Sequence, residues 1–173
     1  MRYNAITTPD VNNGTGCRIT LWVSGCNHYC KGCHNPETWN KDGGNEFTDE
    51  VKQKLFKELS KPFITGLTLS GGDPMSYYYD DVIALCKEIK ENPKFKKKTI
   101  WLYTGYLKKD LNKDENRKKI FDYIDVIVDG PFVLKKRDIT IPFRGSTNQK
   151  IWNVTHVAPG KNTFEEIFKI INE

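Results

Sequence analysis

The sequence predicts an α/β fold in which parallel strands alternate with helices. Three observations predict it. Short apolar, β-branched runs alternate with segments whose apolar residues recur at helical spacing. The strand-like runs are apolar almost throughout, as strands covered on both faces should be. Strands joined through helical segments imply right-handed βαβ units. The chain has 173 residues. At ~100–200 residues per domain this reads as one domain, residues 1–173. A closed eight-unit barrel takes about 200–250 residues or more, so the chain is too short for one.

The elements follow in order. Arg18–Ser24 (RITLWVS) is apolar and β-branched and ends at Gly25, like a buried strand. Val51, Leu55, Phe56 and Leu59 give helical spacing, with Thr48 as N-cap and Asp49 and Glu50 in the first turn. Gly66–Ser70 (GLTLS) reads as the second strand. Ser76 can cap a helix through Val82, Ile83, Leu85, Cys86 and Ile89 that stops before Pro93. Thr99–Thr104 (TIWLYT) is the third strand and Arg117–Tyr123 a short helix. Ile124–Asp129 (IDVIVD) is the fourth strand, closed by Gly130–Pro131. Phe132–Gln149 reads as an irregular loop and Lys150–Thr155 (KIWNVT) as the fifth strand. Thr163 with Glu166 forms a capping box that opens a last helix to about Asn172. The sequence contains no internal repeat, low-complexity tract or inter-domain linker.

Composition narrows the function classes. Hydrophobic residues are 38% and charged residues 28%, as in a soluble globular chain. No apolar run reaches the ~18–20 residues of a membrane span. The opening MRYNAITTPD lacks the apolar centre of a signal peptide, so a cytoplasmic location is expected, with no membrane partner. The net charge is +5, and only five of the 27 basic residues are Arg. Arg is the usual reader of bases and phosphates, so no nucleic-acid partner is expected. The densest basic run, Lys94 with Lys96–Lys98, reads as a solvated loop, with docking of an acidic partner as its second reading.

The segments that carry chemistry follow the predicted strands. They are Gly25–Cys33, Gly71–Pro74, Tyr103–Gly105 and Asp129–Phe132. In parallel α/β folds ligands sit at the carboxyl ends of strands, so these loops should converge on one rim. Three of the five cysteines, Cys26, Cys30 and Cys33, fall within eight residues. Without a secretory signal this favours a metal or redox site over a disulfide framework. A 4Fe–4S cluster is normally held by four thiolates, so three local cysteines would leave one iron open for substrate. Structural zinc is the competing reading, with His28 or His34 as fourth ligand, although no second cysteine pair is present. On that reading the chain is an interaction module without catalysis. Cys17 and Cys86 sit singly in apolar segments and read as buried small hydrophobes, with Cys17 as a ligand the lesser alternative.

The Cys26-x-x-x-Cys30-x-x-Cys33 loop after the first strand resembles that of the radical S-adenosylmethionine (SAM) enzymes. Ser70-Gly71-Gly72-Asp73-Pro74 stands where that superfamily has its glycine-glycine-acid-proline motif. GCNHYCKGCHNPETW, LSGGDP, WLYTGY, VIVDGPF and FRGSTNQKIW are similar to segments of the activating proteins of anaerobic (class III) ribonucleoside-triphosphate reductases. They extend from Gly25 to Trp152. Gly32 departs from the superfamily, where an aromatic residue is common before the third cysteine, and Asp73 stands where Glu is common.

The resemblance implies a partial (β/α) barrel of about five to six parallel strands, radical SAM type, with one side open to a protein substrate. It implies a 4Fe–4S cluster on Cys26, Cys30 and Cys33, the catalytic and metal-binding set, with SAM chelating the open iron. Gly32, Cys33 and His34 would lie near the adenine. Gly71 and Gly72 would let backbone approach the methionine end, and Asp73 would face its ammonium or sulfonium. Tyr103 and Thr104 have two readings, hydroxyls for the ribose or carboxylate and ordinary strand packing. Asn153 and Val154 are further adenosine contacts. Asp129–Phe132 and Arg144–Gln149 would form part of the rim. Arg144 either pairs a carboxylate or makes a surface salt bridge, and Phe132, Trp39 and Tyr77–Tyr79 either pack or form a docking face. The implied activity is glycyl-radical formation on the large reductase subunit. A low-potential electron donor, such as a flavodoxin or thioredoxin system, would supply the electron.

Overall fold

Thr48 opens the first helix as its sequence predicts. Its hydroxyl accepts from the Val51 amide, and Asp49 and Glu50 lie in the first turn of α1 (Asp49–Leu59). The computed structural model describes residues 1–170. Strands β1 (Arg2–Asp10), β2 (Arg18–Val23) and β3 (Asn45–Glu46) precede α1, and β4 (Gly66–Gly71) and α2 (Tyr79–Glu91) follow it. Then come β5 (Thr99–Tyr103), α3 (Lys108–Leu111), β6 (Val126–Asp129), β7 (Lys150–Ala158) and β8 (Lys161–Ile167). Among the described residues no helix is long and apolar enough to cross a membrane.

All eight strands form one sheet in the order β3-β1-β2-β4-β5-β6-β7-β8. Strands β2, β4, β5 and β6 are parallel neighbours. The expected five to six parallel strands are therefore corrected to four. The fifth predicted strand, β7, runs antiparallel to β6, with Asp129 opposite Lys150. Its connection, residues 130–149, carries a short 3-10 turn at Leu134–Lys136 rather than a crossover helix, so the chain returns beside β6 in the opposite direction.

The last predicted helix is also corrected. Residues 161–167 form β8, which pairs antiparallel with β7 after a tight turn at Gly160 (φ 71°). Burial alternates along KNTFEEI, a period of two that outweighs the capping-box pattern. Phe164 packs edge-on against Phe121 with ring centroids 5.0 Å apart, while Lys108 Nζ lies 4.3 Å from the Phe164 ring centre. Residues 171–173, which include the predicted end at Asn172, lie outside the described residues. The predicted Ser76 cap fails as well. Tyr78 is the N-cap of α2 and makes no side-chain cap bond. Strand β1, which the polar run RYNAITTPD does not advertise, pairs antiparallel with β2.

Successive side chains of a strand point to opposite faces, and here the faces differ. Ile19, Leu21, Leu67, Leu69, Ile100, Leu102 and Ile127 join Leu55, Leu59, Leu85 and Ile89 of the helices in the larger core. Trp101, Val126, Val128 and Ile151 form a second cluster. Arg18, Thr20 and Thr68, which alternate with larger-core residues, bring polar groups to this second face. So the parallel strands are not apolar on both faces as the sequence suggested.

Arg18 is fully buried at the amino end of β2. Its Nε donates to Thr68 Oγ1 (2.8 Å). Nη1 donates to the Thr15 carbonyl (3.1 Å) and Thr99 Oγ1 (3.0 Å). Nη2 donates to the carbonyls of Leu67 (2.8 Å) and Thr99 (2.9 Å). All five guanidinium donors are used. Burial lowers its pKa to about 10, which still leaves it charged at neutral pH. Arg18→Met is expected to cost about 3 kcal/mol or more in urea unfolding, because several buried acceptors lose their donor. Iron content of the folded fraction should not change, since Arg18 lies at the end of β2 remote from Gly25.

Candidate functional site

The loops after β2, β4 and β5 meet at the carboxyl ends of the parallel strands. They enclose a cavity of about 420 Å³. Cys26, Cys30 and Cys33 line it together with Gly71, Gly72, Thr104 and Gly105. The segment after β6 adds Gly130, Phe132, Phe143 and Arg144. The predicted convergence on one rim is therefore observed.

Backbone bonds lace the cysteine loop to the Gly71–Asp73 turn. Gly25 N donates to the Thr38 carbonyl (2.7 Å) and Cys26 N to that of Trp39 (3.1 Å). Gly72 N donates to Val23 O and Asp73 N to Gly25 O, both at 2.8 Å. Gly71 holds φ 109°, and a Cβ there would lie 2.5 Å from the Val23 nitrogen. A Cβ on Gly72 would lie 2.4 Å from the Gly25 oxygen and 2.8 Å from that of Thr38. Both glycines are thus required first by the approach of the two loops.

All five cysteines are free thiols, and Cys86 is fully buried, as its apolar segment predicts. Cys17 packs against the larger core and does not line the cavity. Cys26 accepts from His28 N (3.5 Å) and Cys33 from Asn35 N (3.4 Å). Burial pushes the Cys26 thiol up to about 11 and raises that of Cys30. Both are protonated at neutral pH in the empty chain. Metal loading must displace those protons, so uptake should strengthen as pH rises from 7 toward 9. Titration of iron and sulfide uptake against pH checks the sign.

Asp73 is buried and does not line the cavity. Its Oδ2 accepts from His28 Nε2 (2.6 Å), Thr104 Oγ1 (3.0 Å) and Gly105 N (2.9 Å). Its Oδ1 accepts from Met75 N (2.8 Å). The carboxylate thus ties three loops together through four hydrogen bonds within the protein. Thr104 reaches the cavity wall, but its hydroxyl is spent on Asp73 and on Tyr106 N (3.2 Å). The Tyr103 ring also lines the wall, while its hydroxyl is buried without a partner.

His34 is exposed, lines the cavity and lies 5.2 Å from the Phe132 ring. Gly32 is exposed, with its Cα facing Leu134. Asn153 and Val154 do not reach the cavity. Because β7 is antiparallel, its beginning rather than its end lies beside the carboxyl end of β6, and Gln149 lines the cavity instead. Arg144 lines it too, but donates to the carbonyls of Gln149 (3.2 Å) and Phe168 rather than to a carboxylate. Trp39 packs edge-on against Tyr29, and Tyr77 is exposed.

Sequence reasoning missed Asn27 and Arg117. Asn27 accepts from Ser76 Oγ (2.7 Å) and donates to the Tyr106 hydroxyl (2.8 Å). Arg117 donates from Nε to the Met75 carbonyl (2.7 Å). These contacts bridge 42 to 79 residues of sequence and leave no local signal.

A tetrahedral zinc with ~2.3 Å bonds would draw thiolates to about 3.8 Å of one another. Among the described residues no three His, Cys, Asp or Glu side chains are close enough to hold one ion. Three thiols line one cavity, and Cys26 and Cys33 each accept an amide hydrogen bond, a donor set that suits the thiolate ligation of a cluster.

Residues 12–152 match the family described as 4Fe-4S single cluster domain, which defines the class. Within that class, the anaerobic ribonucleoside-triphosphate reductase-activating protein of Vibrio cholerae is 42% identical over 159 residues, 90% of this chain and 99% of the relative. The protein of the same name from enterobacteria phage T4 is 41% identical, over 90% of this chain and 96% of the relative. That of Escherichia coli K12 is 38% identical, over 87% and 97%. The chain belongs to the family of anaerobic ribonucleoside-triphosphate reductase-activating proteins.

Proposed function

We propose that the chain, residues 1–173, is a radical SAM domain that installs a glycyl radical on the large subunit of an anaerobic ribonucleoside-triphosphate reductase. The carrying observation is that Cys26, Cys30 and Cys33 line one cavity with Gly71 and Gly72 at the carboxyl ends of parallel strands. The four parallel strands and the antiparallel hairpin after them take the part of the partial barrel. In this reading the three thiolates hold a 4Fe–4S cluster and leave one iron for the amino and carboxylate groups of SAM. When bound, cluster and SAM supply a 5′-deoxyadenosyl radical able to take hydrogen from a glycine Cα.

The chain's own residues bind and orient. Cys26, the most buried of the three thiols, would with Cys30 and Cys33 hold the cluster. Gly71 and Gly72 present backbone without a side chain to the methionine end. The backbone of Gly32–His34 borders the adenine, with Phe132 beside His34. Tyr103 and Thr104 form the wall below. Asp73 keeps His28, Thr104 and Gly105 in register beside the cavity. The open cavity admits a loop of the reductase, and an external low-potential donor such as a flavodoxin or thioredoxin system supplies one electron. The expected setting is cytoplasmic, with neither nucleic acid nor membrane as partner.

The test is anaerobic incubation of the cluster-loaded protein with SAM, dithionite and the large subunit of an anaerobic ribonucleoside-triphosphate reductase. A glycyl-radical doublet on the reductase, with methionine and 5′-deoxyadenosine formed, is the expected result. Zinc in place of iron, with no radical, would return the chain to the reading of a non-catalytic interaction module.

A further inference from the structure

A cluster that delivers an electron must be refilled from outside, so the surface over the cysteine loop has a second task. Lys31, in the loop between Cys30 and Cys33, is exposed. The position of a Cβ on Gly32 lies 2.9 Å from Leu134 Cδ1, so the 3-10 turn Leu134–Lys136 packs directly on that loop. Lys135, Lys136 and Arg137 are exposed beside it. Among the described residues none of these four cations makes an ion pair; the pairs formed engage other side chains. Asp138, the neighbouring acid, turns its carboxylate to Thr140 N (2.8 Å) and Thr140 Oγ1 (2.6 Å).

The turn is braced. Thr147 N donates to the Lys136 carbonyl (2.9 Å), Val133 N to Ser146 Oγ (3.2 Å), and Arg137 bridges Ser146. Phe132 in the same segment lines the cavity together with Cys30. None of the four cations lines the cavity. Leu134, 43% accessible, adds exposed apolar area beside Lys135 and Lys136. A small apolar centre ringed by one sign of charge fits a weak, fast electron-transfer encounter.

The other basic run, Lys94 with Lys96–Lys98, does not compete for this task. It precedes β5 and so lies at the amino end of the strand, about 16 Å farther off at ~3.3 Å per residue. Electron transfer falls off exponentially with distance. We propose that Lys31, Lys135, Lys136 and Arg137 form the docking surface for an acidic one-electron donor protein. This rests on the cluster assignment above. The donor loses one electron and the oxidised cluster gains one, with no bond made or broken.

The test mixes anaerobic cluster-loaded protein with a fully reduced acidic flavodoxin at low ionic strength and follows cluster bleaching by stopped flow. Native protein should be reduced rapidly, with a rate that falls steeply as salt rises. The K135E/K136E/R137E variant should be reduced at least about tenfold more slowly, with little salt dependence. Its melting temperature, iron content and reduction by dithionite should match the native protein. K94E/K96E/K97E should behave as native. Equal flavodoxin rates for native and K135E/K136E/R137E, or an equal loss in K94E/K96E/K97E, would overturn the proposal. The assay needs neither SAM nor reductase, so a failure of the radical reading alone leaves its outcome distinct. A chain that assembles no cluster overturns both.

Discussion

Gly72→Ala is expected to destabilise the cluster-free chain by about 3 kcal/mol and to abolish retention of iron. The new methyl would sit 2.4 Å from the Gly25 carbonyl oxygen and 2.8 Å from that of Thr38. Both are backbone atoms, so no side chain can swing aside. The bonds from Gly72 N to Val23 O and from Asp73 N to Gly25 O must lengthen as the two loops separate. Gly25 directly precedes Cys26, so the displacement falls on the first thiolate. Urea unfolding and iron per chain after reconstitution check both parts. Native stability with full iron would refute the packing argument.

Asp73→Asn is expected to cost about 2–4 kcal/mol and to weaken cluster retention in the same direction. A carboxylate only accepts hydrogen bonds, and this one accepts four. An amide must aim its NH2 either at Met75 N or at the group formed by His28, Thr104 and Gly105. Donor then faces donor in a site closed to water. Thermal melts of the cluster-free variant separate this structural effect from a contact with SAM. A carboxylate that only touched SAM would leave the cluster-free protein at native stability.

The centre of the molecule was legible in the sequence, and its edges were not. The apolar runs of β2, β4, β5 and β6 and the helical spacing of α1 and α2 announce four parallel strands with their crossovers. The Cys26–Cys33 spacing and Gly71–Asp73 announce the site, because both lie in short segments fixed by neighbours. The sequence of β8 reads as a helix because Thr163 and Glu166 satisfy a local capping pattern, while its pairing with β7 is set across the hairpin. The direction of β7 depends on the return path of residues 130–149, which carries no periodic signal. The hydrogen-bond partners of Thr104 and Asp73 were not legible for a related reason. Strand-end position brings a residue to the rim, but long-range partners decide whether its polar atoms face the cavity. Arg18, read as an ordinary strand residue, holds a buried fork that no local pattern reveals.

The most direct measurement is electron paramagnetic resonance of anaerobically reconstituted, dithionite-reduced protein before and after SAM. The account predicts a reduced 4Fe–4S signal in the native chain that changes shape when SAM is added, and loss of that signal in Cys26→Ala, Cys30→Ala and Cys33→Ala. A reduced signal indifferent to SAM, or one that survives removal of any of the three cysteines, would contradict it.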